Sequence, residues 1–134
     1  GLNSIEFDVW LTKDMVPIVL HGGLAGEVEH ALPEHGIEVD THINSILLEH
    51  IRLITLPNGE KIPTLEEVLD EFTGKIKFNC EVKDENNEFA EILMDLLIEK
   101  DSTNGFSVSS FVPKQIEAIS KRAKELDVDM KIAF

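Results

Sequence analysis

Three stretches of this chain alternate their side chains with a period of two, and each keeps one polar face. Residues 4–11 set Ile5, Phe7 and Val9 on one side and Glu6 and Asp8 on the other. Residues 75–83 oppose Ile76, Phe78, Cys80 and Val82 to Lys77, Asn79, Glu81 and Lys83, and residues 106–111 oppose Phe106 and Val108 to Ser107 and Ser109. A two-residue period is the mark of a strand with unlike faces. In a sheet buried on both faces, parallel strands would read as unbroken apolar runs. These do not, so one face of the sheet has to meet water or a site.

Helical patterns separate the strands. Thr64 and Glu67 form a capping box ahead of Leu65, Val68, Leu69 and Phe72, and Thr73-Gly74 closes that helix. Residues 88–100 carry Phe89, Ile92, Leu93, Leu96 and Leu97 at helical spacing. Residues 115–126 carry Ile116, Ile119, Ala123 and Leu126, with Pro113 where a first turn tolerates proline. Ahead of them, Val16-Pro17-Ile18-Val19-Leu20 follows the first strand through a tight connection, and residues 129–134 begin a last strand. Pro17 belongs at a strand's start or on an unpaired side. Residues 24–60 follow no regular pattern and read as an irregular insertion, with one helix expected between 41 and 54. His30, His35, His42 and His50, scattered through it, lack zinc-ligand spacing and read as surface or loop residues.

The order is β, β, excursion, α, β, α, β, α, β. It predicts a parallel sheet with right-handed crossovers. Polar faces recurring on successive parallel strands suit the interior and mouth of a TIM-type (β/α) barrel, where sites form at the strands' C-terminal ends. A whole barrel of that kind takes about 250 residues, and this chain has 134. The expectation is therefore a partial barrel domain over residues 1–134, part of a longer protein and of little activity in isolation.

Charge and composition remove several function classes. Twelve Lys and Arg against 26 Asp and Glu give a net charge of −14, which disfavours nucleic acid and anionic membrane surfaces as partners. No apolar run is long enough for an integral membrane segment. Cys80 is the one cysteine, which excludes an internal disulfide and tilts toward a reducing, cytoplasmic compartment. It lies on the apolar side of its strand and reads as a buried hydrophobe, not a nucleophile. Phosphate-binding glycine loops, nucleophile elbows and cysteine clusters are absent from the sequence.

On a strand, Glu6 and Asp8 point the same way, their Cβ atoms about 7 Å apart. Such a pair persists if solvated, if one member is protonated, or if a cation sits between them. His21, ending an apolar run and followed by Gly22-Gly23, stands where an imidazole could enter a site.

These residues carry a family resemblance. Ile5-Glu6-Phe7-Asp8-Val9, Leu11-Thr12-Lys13-Asp14 and Val16-Pro17-Ile18-Val19-Leu20-His21 resemble the glycerophosphodiester phosphodiesterases. The likeness continues through residues 63–69, Phe78-Asn79-Cys80-Glu81-Val82-Lys83 and Ser109-Ser110-Phe111. It implies a TIM-barrel enzyme that hydrolyses glycerophosphodiesters, the deacylated phospholipids, to an alcohol and glycerol phosphate. It further implies that Glu6, Asp8 and Glu81 hold a divalent cation, Mg²⁺ or Ca²⁺. On the same grounds His21 is one of two acid–base histidines, Lys83 meets the phosphate, and Ser109 lies on a strand facing the site. The chain departs from the family where His21-Gly22 stands for the usual His-Asp and where the threonine-rich motif is missing between Leu24 and Asp40. The His-Arg-Gly strand that opens the family pattern and the closing strands are not in this sequence. Two other readings compete: a catalytically silent metal- or ligand-binding barrel fragment, and a phospholipase D-like activity on lysolipids.

Overall fold

The computed structural model describes residues 3–20, 42–55 and 59–133. Strands β1 (Ser4–Leu11), β2 (Pro17–Leu20), β3 (Lys77–Val82), β4 (Phe106–Ser109) and β5 (Lys131–Ala133) form one sheet in the order β2-β1-β3-β4-β5. From β1 through β5 all pairings are parallel, with α2 (Leu65–Phe72), α3 (Phe89–Glu99) and α4 (Pro113–Glu125) in the connections. This is the partial (β/α) barrel that the alternation implies.

One expectation about the sheet needs correction: β2 does not run parallel. It folds back on β1 as an antiparallel hairpin, with Asp8 opposite Leu20 and Leu11 opposite Pro17. The connection is too short for a crossover, which needs about a dozen residues. Thr12 closes it, its N–H donating to the Val16 carbonyl at 3.0 Å and its hydroxyl accepting from the Val16 N–H at 3.0 Å. Met15 takes a positive φ of 65° at the tip. Pro17 is the first residue of β2, and the strand's free edge is partly covered where Val19 N–H donates to the Pro63 carbonyl at 3.0 Å. Edge strands left bare invite foreign pairing.

The apolar strand faces build the main core. Phe7, Phe78 and Phe106 sit on three neighbouring strands with ring centroids 6.1, 6.4 and 5.8 Å apart, and Leu65, Leu69, Leu93, Leu97, Ile119 and Ala123 cover them from the helices. Cys80 lies among them, 1% exposed, and burial pushes its thiol pKa well up. The capping box is formed as the sequence predicts: the Glu67 N–H donates to the Thr64 hydroxyl at 3.1 Å and the Thr64 N–H to Glu67 Oε1 at 3.0 Å.

A second, smaller core lies on the other side of β1. Trp10, Ile18 and Leu20 pack there with Ile43, Ile46, Ile51, Ile54 and Ile62. The helix expected between 41 and 54 is present as a 3-10 turn (Ile43–Ser45) followed by the single-turn α1 (Leu48–Ile51). The hairpin turn holds this segment: Lys13 N–H donates to the Ile46 carbonyl at 2.9 Å and Leu48 N–H to Asp14 Oδ1 at 3.0 Å. The Thr12 hydroxyl and the Leu48 N–H both donate to the Asp14 carboxylate and lower its pKa. Residues 42–55 are thus a wall laid on the polar side of the sheet. Most of the remaining insertion, and His21, lie outside the described residues.

Candidate active site

Register stacks the polar residues in layers. Asp8 on β1 pairs with Glu81 on β3, which pairs with Ser109 on β4; one layer nearer the N-terminal ends, Glu6 pairs with Asn79 and Asn79 with Ser107. Residues in register on a sheet project from the same face. Asp8, Glu81 and Ser109 are therefore the upper layer, toward the C-terminal ends of three adjacent parallel strands.

Lys83 completes that layer from just past the end of β3. Its ammonium lies 3.0 Å from Asp8 Oδ2 and 3.3 Å from Glu81 Oε2. The Asp8 side chain is only 13% exposed, against 32% for Glu81 and 34% for Lys83. The bond to Asp8 is the main reason the lysine's pKa is raised, with Glu81 adding to it and burial opposing it. Without that ammonium, two carboxylates on neighbouring strands would repel across a partly dry gap.

Glu6, Asp8, Asn79, Glu81 and Ser109 line an open cleft of about 270 Å³. Of the three carboxylates singled out from the sequence, Asp8 and Glu81 converge on one cation, and Glu6, exposed on the layer below, faces the same cleft. Among the described residues no three His, Cys, Asp or Glu side chains are gathered closely enough to hold a metal ion as they stand. The donor set still fits a hard divalent ion. It is all oxygen, it lies at a barrel mouth, and Asp8 and Glu81 already close on a positive group.

A larger cleft of about 520 Å³ is lined by Trp10, His42, Asn44, Lys83, Asp84, Glu85 and Asn86. Trp10 and His42 carried no functional reading in the sequence. Trp10 follows Glu6 and Asp8 on the two-residue period, and that period was the signal that could have found it. His42 had no such signal, because it reaches the cleft by tertiary folding.

Asp84 fastens this rim. Buried, it accepts from the Leu11 N–H at 2.9 Å and the Asn86 N–H at 2.7 Å, and Gln115 Nε2 donates to its carbonyl at 2.7 Å. Ser110 Oγ donates to the Val82 carbonyl at 2.5 Å, tying β4's end to β3's. Lys83 therefore stands on a braced loop.

Fold and site together define a class: part of a TIM-type barrel with an acidic cluster and a lysine at its C-terminal mouth. Residues 1–133 match the glycerophosphoryl diester phosphodiesterase family, and the chain belongs to it. Solved structures agree in fold. A Galdieria sulphuraria protein assigned as a glycerophosphodiester phosphodiesterase superposes with a TM-score of 0.80 at 21% identity, covering 98% of this chain and 52% of its own. A glycerophosphodiester phosphodiesterase of Parabacteroides distasonis gives 0.78 at 21% identity, covering 97% and 50%. An Oleispira antarctica phosphodiesterase, solved with the product sn-glycerol-3-phosphate, gives 0.70 at 18% identity, covering 96% and 62%. The chain thus spans between half and about three-fifths of the length of these structures. A comparison with curated proteins finds no significant match.

Proposed function

We propose that this chain supplies the metal-binding and phosphate-binding half of a glycerophosphodiester hydrolase site. The substrate class is a deacylated phospholipid. Water adds at phosphorus, the bond from phosphorus to the alcohol oxygen breaks, and the products are an alcohol and glycerol phosphate. The observation that carries this reading is the convergence of Asp8 and Glu81 on one positive group, 3.0 and 3.3 Å from the Lys83 ammonium, at the C-terminal end of parallel strands.

Asp8 and Glu81, with Glu6 beside them, are the residues that would hold Mg²⁺ or Ca²⁺. When bound, such an ion neutralises the phosphodiester and polarises it for attack. Lys83 meets a non-bridging phosphate oxygen as a compact point charge. His21 carries the proton to or from an ester oxygen, work suited to an imidazole with a pKa near neutrality. Ser109, in register with Glu81, presents a hydroxyl to the same cleft.

Hydrolysis of glycerophosphocholine by the complete protein tests the reading, measured with Ca²⁺ or Mg²⁺ and again with EDTA. Turnover is expected only with metal and is lost in Asp8→Asn and Glu81→Gln. Metal-independent turnover, or full activity in Glu81→Gln, would remove the assignment.

A further inference from the structure

We infer that Lys83 and the divalent cation compete for one seat between Asp8 and Glu81, so that metal binding drives the ammonium out toward the larger cleft. This deepens the reading above and rests on it. Lys83 bonds to both carboxylates that the reading gives to the metal, at 3.0 and 3.3 Å. An ammonium there and a divalent ion on the same oxygens would put like charges within a few ångströms of each other, in a place where Asp8 is 13% exposed. One of them has to leave.

The geometry provides the exit. Lys83 lines the larger cleft with Trp10, His42, Asn44 and Asn86, while its ammonium reaches Asp8 and Glu81, which line the carboxylate cleft with Glu6, Asn79 and Ser109. An ion can therefore arrive from one side while the flexible four-carbon stem withdraws on the other. The backbone need not move, because β3 and the Asp84 loop are pinned by strand pairing and by hydrogen bonds to Leu11 and Gln115. Displacement also gives the lysine its function. Held by two carboxylates its charge is spent, and once displaced it can bind a phosphate oxygen. Where it sits, the ammonium keeps Asp8 and Glu81 from repelling each other. Lys83 is in this sense a placeholder for the metal as well as a phosphate contact.

The test is the Ca²⁺ affinity of the protein without substrate, by titration calorimetry, in the parent, Lys83→Met, Lys83→Gln and Lys83→Arg. Removing the competing charge is expected to tighten Ca²⁺ binding by about 10-fold in Lys83→Met and Lys83→Gln, and Lys83→Arg to stay near the parent. Thermal melts give a second readout. Without metal Lys83→Met melts below the parent, and Ca²⁺ closes the gap; Lys83→Gln serves if the methionine variant does not fold. Ca²⁺ affinity equal to or weaker than the parent's in both neutral variants overturns the competition and leaves the metal assignment standing. Absence of Ca²⁺ and Mg²⁺ binding in all four proteins overturns the metal assignment and the competition with it.

Discussion

At Asp8 and Glu81 the chemistry follows from register. Each is one polar residue in an alternating strand, and neither means much until β1 and β3 pair with the two side by side. Glu81→Gln removes one charge from the cluster proposed to hold a cation, so hydrolysis is expected to fall by about 100-fold or more, as when a key electrostatic contact to a reacting group is lost. His21→Ala should lower turnover by about 10²- to 10⁴-fold, the usual weight of the general acid–base role proposed for it. Its signature is a lost inflection in the pH–rate profile with Ca²⁺ affinity unchanged; weakened Ca²⁺ binding would contradict the proton-transfer role. Cys80 yields a prediction of the opposite kind. Buried in the core with a raised thiol pKa, it should resist iodoacetamide in the folded protein and react only on unfolding, and rapid native alkylation would show the core to be open. Glu6, Asp8, Glu81, Lys83 and Cys80 were legible because a two-residue period fixes which side each takes. Asp84 was not. The Asp-x-Asn pattern announces a turn, but nothing local says that its carboxylate also holds a strand end 73 residues away.

Among elements, α2 was read most closely, since its cap is encoded by adjacent residues. Thr64→Ala should cost about 1 kcal/mol in unfolding free energy, the ordinary cost of a lost cap. Structure adds a partner that the sequence did not announce: Arg52, from the segment laid over the polar face, forms a two-pronged pair with Glu67, with its Nη2 3.1 Å from Oε2. Arg52 first, and the Thr64 N–H second, hold the Glu67 pKa down to about 2 from an ordinary 4.5. A carboxyl whose pKa is depressed on folding contributes stability above its unfolded value and loses it as pH falls toward the folded one. The affected window is therefore about pH 4.5 down to about 2. Because the side chains of the pair are 39% and 49% exposed, solvent screening limits it to about 1 kcal/mol. Acid titration of stability should be flatter in Glu67→Gln across that window, and identical curves would mean that the pair contributes nothing. β2 shows where element reading stopped. Its residues read as a strand, but the parallel order inferred for the whole sheet was extended to it, although the tight connection that Thr12 closes is too short for any crossover.

For the whole molecule, the barrel architecture was legible because strands and helices alternate and the strands keep polar faces. The wall formed by residues 42–55 was not, because its isoleucines follow no regular period and find Trp10 only in three dimensions. Net charge carries the remaining prediction. At −14 the folded protein works against its own repulsion, so NaCl raised from about 20 mM to about 0.5 M should raise Tm in the parent and in Asp8→Asn alike, by screening alone. Calcium at matched ionic strength should do more, since an ion bound only by the folded state stabilises by mass action. At 100 times its Kd that amounts to about 2.7 kcal/mol, or about 5 °C or more for a domain of this size. Asp8→Asn and Glu81→Gln should lose the calcium increment and keep the NaCl increment. Equal effects of CaCl₂ and NaCl at matched ionic strength would mean that the acidic surface acts only as a diffuse charge, and the mouth of the barrel would lose its claim to a specific cation.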